Sequence, residues 1–303
     1  MRRNRIKRKI KNMEKEMQEK SKAEILEIIT QHVEARIEDV FDMADKKHSM
    51  PGFESSSSVG PYKLLARASQ ESPVFHAVDS RTGEKCIVKF GSPKSALLPE
   101  TADAIRIRLE EESKKLRRWS VCPNVVRLLD AQLDLDPPFL VLESLGINLN
   151  DKTPDNEGLS FTECLAVLRD VSAALSGIHK FGDDHGDVKP EGILMHLTTG
   201  RWTLTDPGDS DLSTDDYASE HLKGWEADIL ALGRTFITSY TGSIDSQLDD
   251  LMRGALEDEH PSFVRLLDRM LRDRPSIGRG GQSSRPSARR ILDLVTNLLR
   301  NAG

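Results

Sequence analysis

Hydrophobic residues follow two different patterns along the chain. Between residues 62 and 143 they alternate or cluster in short β-rich runs, whereas after residue 159 they recur at helical spacing. The first pattern predicts strands at 62–65, 74–78, 86–90, 125–129 and 139–143, with one charged helix at 101–119 between the third strand and the fourth. The second pattern predicts helices at 161–180, 224–241, 246–257, 261–272 and 286–301. This order predicts an α+β fold, in which a small β-rich lobe with one long helix precedes a larger helical lobe.

A separate apolar stripe lies near the start of the chain. Residues 23–43 carry apolar side chains at three- and four-residue intervals, and residues 1–22 are strongly basic. The pattern predicts an N-terminal helix over residues 1–45. The stripe either packs against the helix's own domain or mediates self-association, as in a coiled coil, or partner binding. Residues 46–60 are rich in serine without an apolar period, and we expect a linker there that leads to a domain over residues 61–301.

Composition and charge narrow the class of protein. A 303-residue chain that is 37% hydrophobic and 30% charged has the composition of a soluble globular protein. Its net charge of −6 argues against a nucleic-acid-binding protein, so that only the basic tip is suited to such a contact. No apolar run approaches the roughly 20 residues of a transmembrane helix. The three scattered cysteines favour a reducing, intracellular location, in the cytoplasm or the nucleus.

Two carboxylates near the ends of predicted short strands carry the candidate chemistry. Asp187 and Lys189 belong to a polar loop that runs into an apolar segment, and Asp206 directly follows the strand-like residues 202–205. This combination suits phosphoryl transfer, since one acid can orient the attacking hydroxyl, the lysine can neutralise the γ-phosphate and the other acid can hold Mg²⁺. The simpler alternative is that these are ordinary turn carboxylates, which are common.

Several motifs resemble those of eukaryotic-type (Hanks-type) Ser/Thr protein kinases, in the same order. Residues 185–192, H-G-D-V-K-P-E-G, resemble the catalytic loop H-R-D-L-K-P-E-N, and Asp206-Pro207-Gly208 resembles D-F-G. The strand ending in Lys89 resembles V-A-I-K. Residues 217–220 resemble A-P-E, residues 225–233 resemble the D-x-W-S-x-G helix, and Arg285 resembles the late arginine that pairs with the A-P-E glutamate, here Glu220.

This resemblance implies a two-lobe fold, with an antiparallel β lobe at 61–143 and a helical lobe at 147–301. ATP with Mg²⁺ or Mn²⁺ would bind between the lobes, near a hinge that includes Glu143. Lys89 would hold the α- and β-phosphates, braced by a glutamate of the next helix; Glu112 fits best, with Glu110 and Glu111 as rivals.

The resemblance also implies that Asp187 and Lys189 are catalytic, that Asp206 binds the metal, and that Asp228 holds the backbone of the catalytic loop. The implied activity is transfer of the γ-phosphate of ATP to a serine or threonine of a protein substrate.

The sequence also departs from the family pattern. Gly192 replaces the asparagine that binds a second metal ion, and Gly186 replaces an arginine that senses a phosphorylated activation loop. The segment 65–74, which should cover the phosphates, has no glycine. Asp183 and Asp184 stand where the family prefers apolar residues; we expect a solvated turn there, and the alternative is that one of them is a substitute metal or substrate contact.

These departures leave three functions open. The first is an active, divergent protein kinase. The second is a pseudokinase, which would act as an interaction module with weak or no catalysis. The third, least favoured by the motifs, is a kinase-fold enzyme for another acceptor such as a small molecule.

Overall fold

The computed structural model describes residues 57–68, 73–91, 101–152, 158–208, 224–243, 250–272 and 284–302. The predicted N-terminal helix and most of the predicted linker lie outside these residues, as do residues 69–72 of the phosphate-covering segment and the A-P-E-like segment with Glu220.

The β-rich half forms one antiparallel sheet of six strands, in the order β1-β2-β3-β4-β6-β5. The strands are β1 (Ser58–Val59), β2 (Tyr62–Arg67), β3 (Val74–Asp79), β4 (Lys85–Phe90), β5 (Leu128–Gln132) and β6 (Phe139–Glu143). The short β1 lies at the end of the stretch for which we expected a linker, and it pairs with the start of β2. The predicted α+β fold with an antiparallel N-terminal lobe is confirmed.

Alternation along β4 sets the direction of Lys89. Val88 and Phe90 point to one face of the sheet, where they join a small aromatic-rich core with Phe75 and Phe139. Because successive side chains of a strand point to opposite faces, Lys89 points away from this core and towards the helical lobe.

The strand predicted at 125–129 is wrong in position, because the observed β5 begins at Leu128. Val125 instead makes an isolated parallel bridge to Leu204, and the amide of Val126 donates to the Leu204 carbonyl at 3.0 Å. The apolar residues at 125–126 therefore belong to the core of the helical lobe. Their β-branched side chains suit either location, which is why the sequence pattern could not separate them.

Six helices lie in the described part of the chain: α1 (Ala102–Arg118), α2 (Phe161–Lys180), α3 (Trp225–Thr241), α4 (Asp250–Glu259), α5 (Pro261–Met270) and α6 (Ala288–Ala302). α2 is the central helix of the C-terminal lobe and packs against α6, α3 and a short hairpin. It begins with a capping box in which Ser160 and Glu163 satisfy each other's backbone amides. None of these helices is long and apolar enough to cross a membrane.

The short hairpin of β7 (Ile193–Met195) and β8 (Trp202–Leu204) carries the polar segments of interest at its ends. The catalytic-loop candidate precedes β7, and Asp206 follows β8. Asp170 of α2 fixes this hairpin, since its buried carboxylate accepts a hydrogen bond from the Trp202 amide at 3.0 Å. The position of Asp206 therefore depends on a polar contact between α2 and β8.

The first prediction concerns this contact. Asp170→Ala leaves the buried Trp202 amide without its acceptor, so we expect a loss of about 1–3 kcal/mol in the free energy of unfolding. Urea unfolding followed by circular dichroism measures this loss. Asp293→Ala is the control, because Asp293 is exposed and pairs with Arg289 on the surface of α6, where about 0.5 kcal/mol or less is expected. Equal losses in the two variants would contradict the assignment.

Candidate active site

Lys89 lies between two carboxylates that come from different parts of the chain. Its Nζ is 2.8 and 3.0 Å from the two carboxylate oxygens of Glu112 on α1, and 2.8 Å from Oδ1 of Asp206 after β8. Burial alone would lower the pKa of Lys89, but attraction to Asp206 and Glu112 outweighs it and raises the pKa. Lys89 is therefore a fixed positive charge. Of the three glutamates that the sequence offered, Glu112 is the one in contact with it.

Asp206 is held in an unusual backbone conformation. Its φ of 55° lies in the left-handed region, which non-glycine residues rarely adopt and which costs about 1–2 kcal/mol. Its Oδ2 accepts a hydrogen bond from the Thr205 hydroxyl at 3.0 Å, and its Oδ1 contacts Lys89. The positive charge of Lys89 lowers the pKa of Asp206 below its ordinary value of 3.8, so the carboxylate is ionised at neutral pH.

The backbone of the predicted catalytic loop is fixed by one buried carboxylate. Asp228 of α3 accepts hydrogen bonds from the amides of His185 and Gly186, both at 2.9 Å, and lies 2.8 Å from Nε2 of His179. Asp228 is 1% exposed, so these donors replace the water that its charge would otherwise require. The expectation that Asp228 holds the catalytic-loop backbone is confirmed by these contacts.

Within this loop, Asp187 and Lys189 form an ion pair, with 2.9 Å between the carboxylate and Nζ. The Asp187 amide donates to Nδ1 of His185 at 3.3 Å, which requires this nitrogen to be unprotonated. Burial lowers the pKa of His185 to about 4, in agreement with a neutral ring. The neutral imidazole thus orients Asp187 without adding charge beside it.

Gly192 closes a short 3₁₀ turn, Pro190–Gly192, between the two acidic segments. A Cβ atom on Gly192 would lie 3.3 Å from the Thr205 carbonyl and 3.8 Å from that of Asp187. A side chain here would therefore start between the segments that carry Asp187 and Asp206.

Two further expected residues are engaged by neighbours. Glu143, at the end of β6, accepts hydrogen bonds from the Arg127 amide and Nε at 2.8 and 2.9 Å, so its carboxylate is already bound. Arg285 is buried and donates to the carbonyls of Met270 and Arg272. Its expected partner Glu220 lies outside the described residues.

Sequence reasoning missed the contacts that α1 makes at its C-terminal end. Asp183, expected in a solvated turn, instead accepts from the Trp119 indole at 2.9 Å and pairs with Arg118 at 3.1 Å. Lys115 donates to the Gly208 carbonyl at 2.7 Å. The available signal was helical spacing, since Lys115 and Trp119 follow Glu112 by three and seven positions and so lie along one face.

The donor set bears on metal binding. Among the residues that the structure describes, no group of three or more His, Cys, Asp or Glu side chains could hold a metal ion. A single carboxylate such as Asp206 fits Mg²⁺ only when other oxygens complete the coordination. Phosphate groups of a nucleotide commonly supply them.

The chain is similar to protein kinases, both in its match to a family model and in its curated relatives. The family model described as "Protein kinase domain" matches residues 70–225. CBL-interacting protein kinase 22 of rice (Oryza sativa subsp. japonica) is 32% identical over 185 residues, which are 56% of this chain and 40% of that protein. The probable serine/threonine-protein kinase pknA2 of Bifidobacterium longum is 28% identical over 154 residues, 49% of this chain and 20% of that protein. The chain thus spans less than half the length of these relatives.

A likeness to solved structures extends over most of the chain. The kinase domain of PknI from Mycobacterium tuberculosis, in the crystal structure of a point mutant, superimposes with a TM-score of 0.60 at 23% identity. The match covers 83% of this chain and 100% of that domain. At this identity the likeness establishes the fold.

The second prediction tests the cross-lobe ion pairs. Lys89→Met leaves Glu112 and Asp206 without their shared cation, so we expect the free energy of unfolding to fall by about 1–3 kcal/mol at neutral pH. The loss should shrink on acidification, because protonation relieves the repulsion between the two acids. In the wild type, the lowered pKa of Asp206 contributes stability that is fully present above pH 3.8. This contribution is lost as the pH falls further.

Urea titrations at neutral pH and at about pH 4 measure this difference. Lys63→Met, at an exposed lysine of β2, is the control and should leave stability unchanged at both pH values. A loss in Lys89→Met that does not depend on pH would contradict the electrostatic explanation.

Proposed function

This chain belongs to the protein kinase family, and we propose that it transfers the γ-phosphate of ATP to a serine or threonine hydroxyl of a protein substrate. The observation that carries the proposal is the ion-pair set of Lys89, Glu112 and Asp206 beside the Asp187–Lys189 pair. The segments that carry the two acids are in contact, since a Cβ on Gly208 would lie 2.9 Å from the Cβ of Asp187. Two cations and two acids brought together in this way suit phosphoryl transfer, in which positioning and charge neutralisation supply most of the catalysis.

In the proposed reaction, the acceptor hydroxyl oxygen attacks the γ-phosphorus while the bond from this phosphorus to the bridging oxygen breaks, so that ADP leaves. Asp187 orients the hydroxyl and accepts its proton. Lys189, 2.9 Å from Asp187, neutralises charge on the transferred group. A lysine at this loop position, together with the names of the relatives, supports serine and threonine as acceptors.

Nucleotide binding is assigned to Lys89, which would contact the α- and β-phosphates while Glu112 keeps it in place. Since the Glu143 carboxylate is bound by Arg127, Glu143 would contribute through its backbone at the hinge. Asp206 would hold Mg²⁺ or Mn²⁺, which when bound screens the negative charge of the phosphates. The three cysteines are free and buried, which supports an intracellular place of action.

One observation favours the second candidate, a pseudokinase that acts as an interaction module. Gly192 brings no side-chain oxygen between Asp187 and Asp206, so one metal contact of the family is missing. A kinase with one metal contact fewer should be slow, and each loss of about 1.4 kcal/mol in transition-state stabilisation lowers the rate tenfold. We place the active kinase first, because Lys89, Asp187, Lys189 and Asp206 are all retained.

The third prediction tests catalysis directly. Asp187→Asn should lower γ-phosphate transfer to a generic protein substrate by about 100-fold or more, because the proton acceptor is lost. The thermal shift caused by ATP and Mg²⁺ should remain, since Lys89 and Asp206 are intact. Asp134→Asn, at an exposed position, is the control and should behave as the wild type. Transfer that survives Asp187→Asn would refute the catalytic role, and a wild type that binds ATP without transfer would support the pseudokinase.

The fourth prediction is a gain of function. Gly192→Asn supplies a carbonyl oxygen between the acidic segments, and we expect it to raise Mg²⁺-dependent transfer by about tenfold. The Thr205 carbonyl would have to shift slightly, since the new Cβ lies 3.3 Å from it. Gly192→Ala is the matched control, because it adds the same Cβ without the oxygen. If the asparagine variant transfers no faster than the alanine variant, the missing metal contact does not limit the rate.

A further inference from the structure

We propose that Lys115 is a positioning residue for the transfer reaction, which holds the segment Asp206-Pro207-Gly208 in place from helix α1. This inference rests on the proposed function. The segment would then be positioned by contacts within the fold, without a phosphorylated activation loop.

The first observation is the arrangement of three side chains along α1 and its C-cap residue, Trp119. Glu112, Lys115 and Trp119 follow each other by three and four positions, and the Trp119 amide still donates to the Lys115 carbonyl as in a helix. Each side chain contacts a different part of the site. Glu112 binds Lys89 of the β lobe, Lys115 binds the carbonyl of Gly208, and Trp119 binds Asp183 just before the catalytic loop.

The second observation is that Gly208 is held from both sides. Its amide donates to the His185 carbonyl at 2.9 Å, and its carbonyl accepts from Lys115 at 2.7 Å. A Cβ on Gly208 would lie only 2.7 Å from the Gly186 carbonyl oxygen, so the two backbones are in close contact. Gly186 itself has a φ of 83°, which an arginine would rarely adopt. Glycine adopts this conformation without strain at the position where the family has arginine, and the close contact itself requires glycine at position 208.

The third observation is charge. Gly186 brings no positive side chain to this corner, but Lys115 brings one from α1. Burial raises the pKa of Asp184 and lowers the pKa of His185, and the positive charge of Lys115 acts to lower both. A hydrogen bond from an ammonium group to a carbonyl is stronger than a neutral one. Because Gly208 is two residues from Asp206, holding Gly208 also restricts where the Asp206 carboxylate can lie. Lys115 therefore links the position of α1 to the position of the acid assigned to the metal.

The test compares three variants of the full chain. Lys115→Met removes the donor and keeps the length of the side chain, Lys115→Arg retains a charged donor, and Lys114→Met changes the exposed neighbour, which pairs with Glu110. Two quantities are measured: deuterium exchange of the amides of residues 203–208, and kcat and KM for ATP over a range of Mg²⁺ concentrations. Lys115→Gln, whose side chain is too short to reach, replaces Lys115→Met if the latter does not fold.

We expect Lys115→Met to increase exchange at residues 203–208 by about tenfold and to lower kcat by a similar factor, since a charged hydrogen bond is lost. The Mg²⁺ concentration for half-maximal rate should rise, while KM for ATP at saturating Mg²⁺ stays within about twofold, because Lys89 is intact. Lys115→Arg should keep most of the wild-type protection from exchange and most of the wild-type kcat, and Lys114→Met should match the wild type.

Two results would overturn the proposal. One is unchanged exchange and unchanged kcat in Lys115→Met. The other is a general rise in exchange over the whole protein that Lys115→Arg does not correct, which would indicate a purely structural role. If the wild type shows no transfer at all, the proposed function fails, and exchange alone decides whether Lys115 holds the segment.

Discussion

The contacts of Lys89 unite the two lobes of this protein around one partly buried charge. An ammonium group that leaves water is stable only where anions replace its hydration, and here Glu112 and Asp206 do so at 2.8 Å each. The two acids would repel each other without the lysine. The β sheet, α1 and the end of β8 therefore have to meet at one point. The capping of α2 and the hydrogen bond from Trp202 to Asp170 serve this requirement, because they fix the helical side of the contact.

Much of this arrangement could be predicted from the sequence, since local patterns encode it. Helix α2 was predicted from its apolar spacing at the bounds that the structure shows, and the Ser160 capping box found in the structure agrees with its start. The sequence favoured Glu112 as the partner of Lys89 over its rivals Glu110 and Glu111, and the packing of α1 brings Glu112 into contact with Lys89. The strand assigned to residues 125–129 and the solvated turn assigned to Asp183 were wrong for a common reason: long-range contacts to Leu204 and Trp119 decide them. Such contacts leave little trace in a local pattern.

The site differs between the side of Lys89 and the side of Gly192. On the side of Lys89 every charge has a partner within 3.0 Å. At Gly192, the described atoms closest to where a side chain would begin are the Thr205 and Asp187 carbonyl oxygens. Under the proposed function, the retained cations would bind a nucleoside triphosphate, and the missing ligand at Gly192 would leave a smaller margin for stabilising the transition state.

The single face of α1 that contacts three segments also constrains how this chain can diverge. A substitution at Glu112, Lys115 or Trp119 changes the fit of the whole helix, so its effect depends on the residues present at the other two positions. In sequences that descend from this one, substitutions at these three positions should therefore occur together. Positions on the exposed side of the same helix, such as Lys114, can be substituted independently of these three.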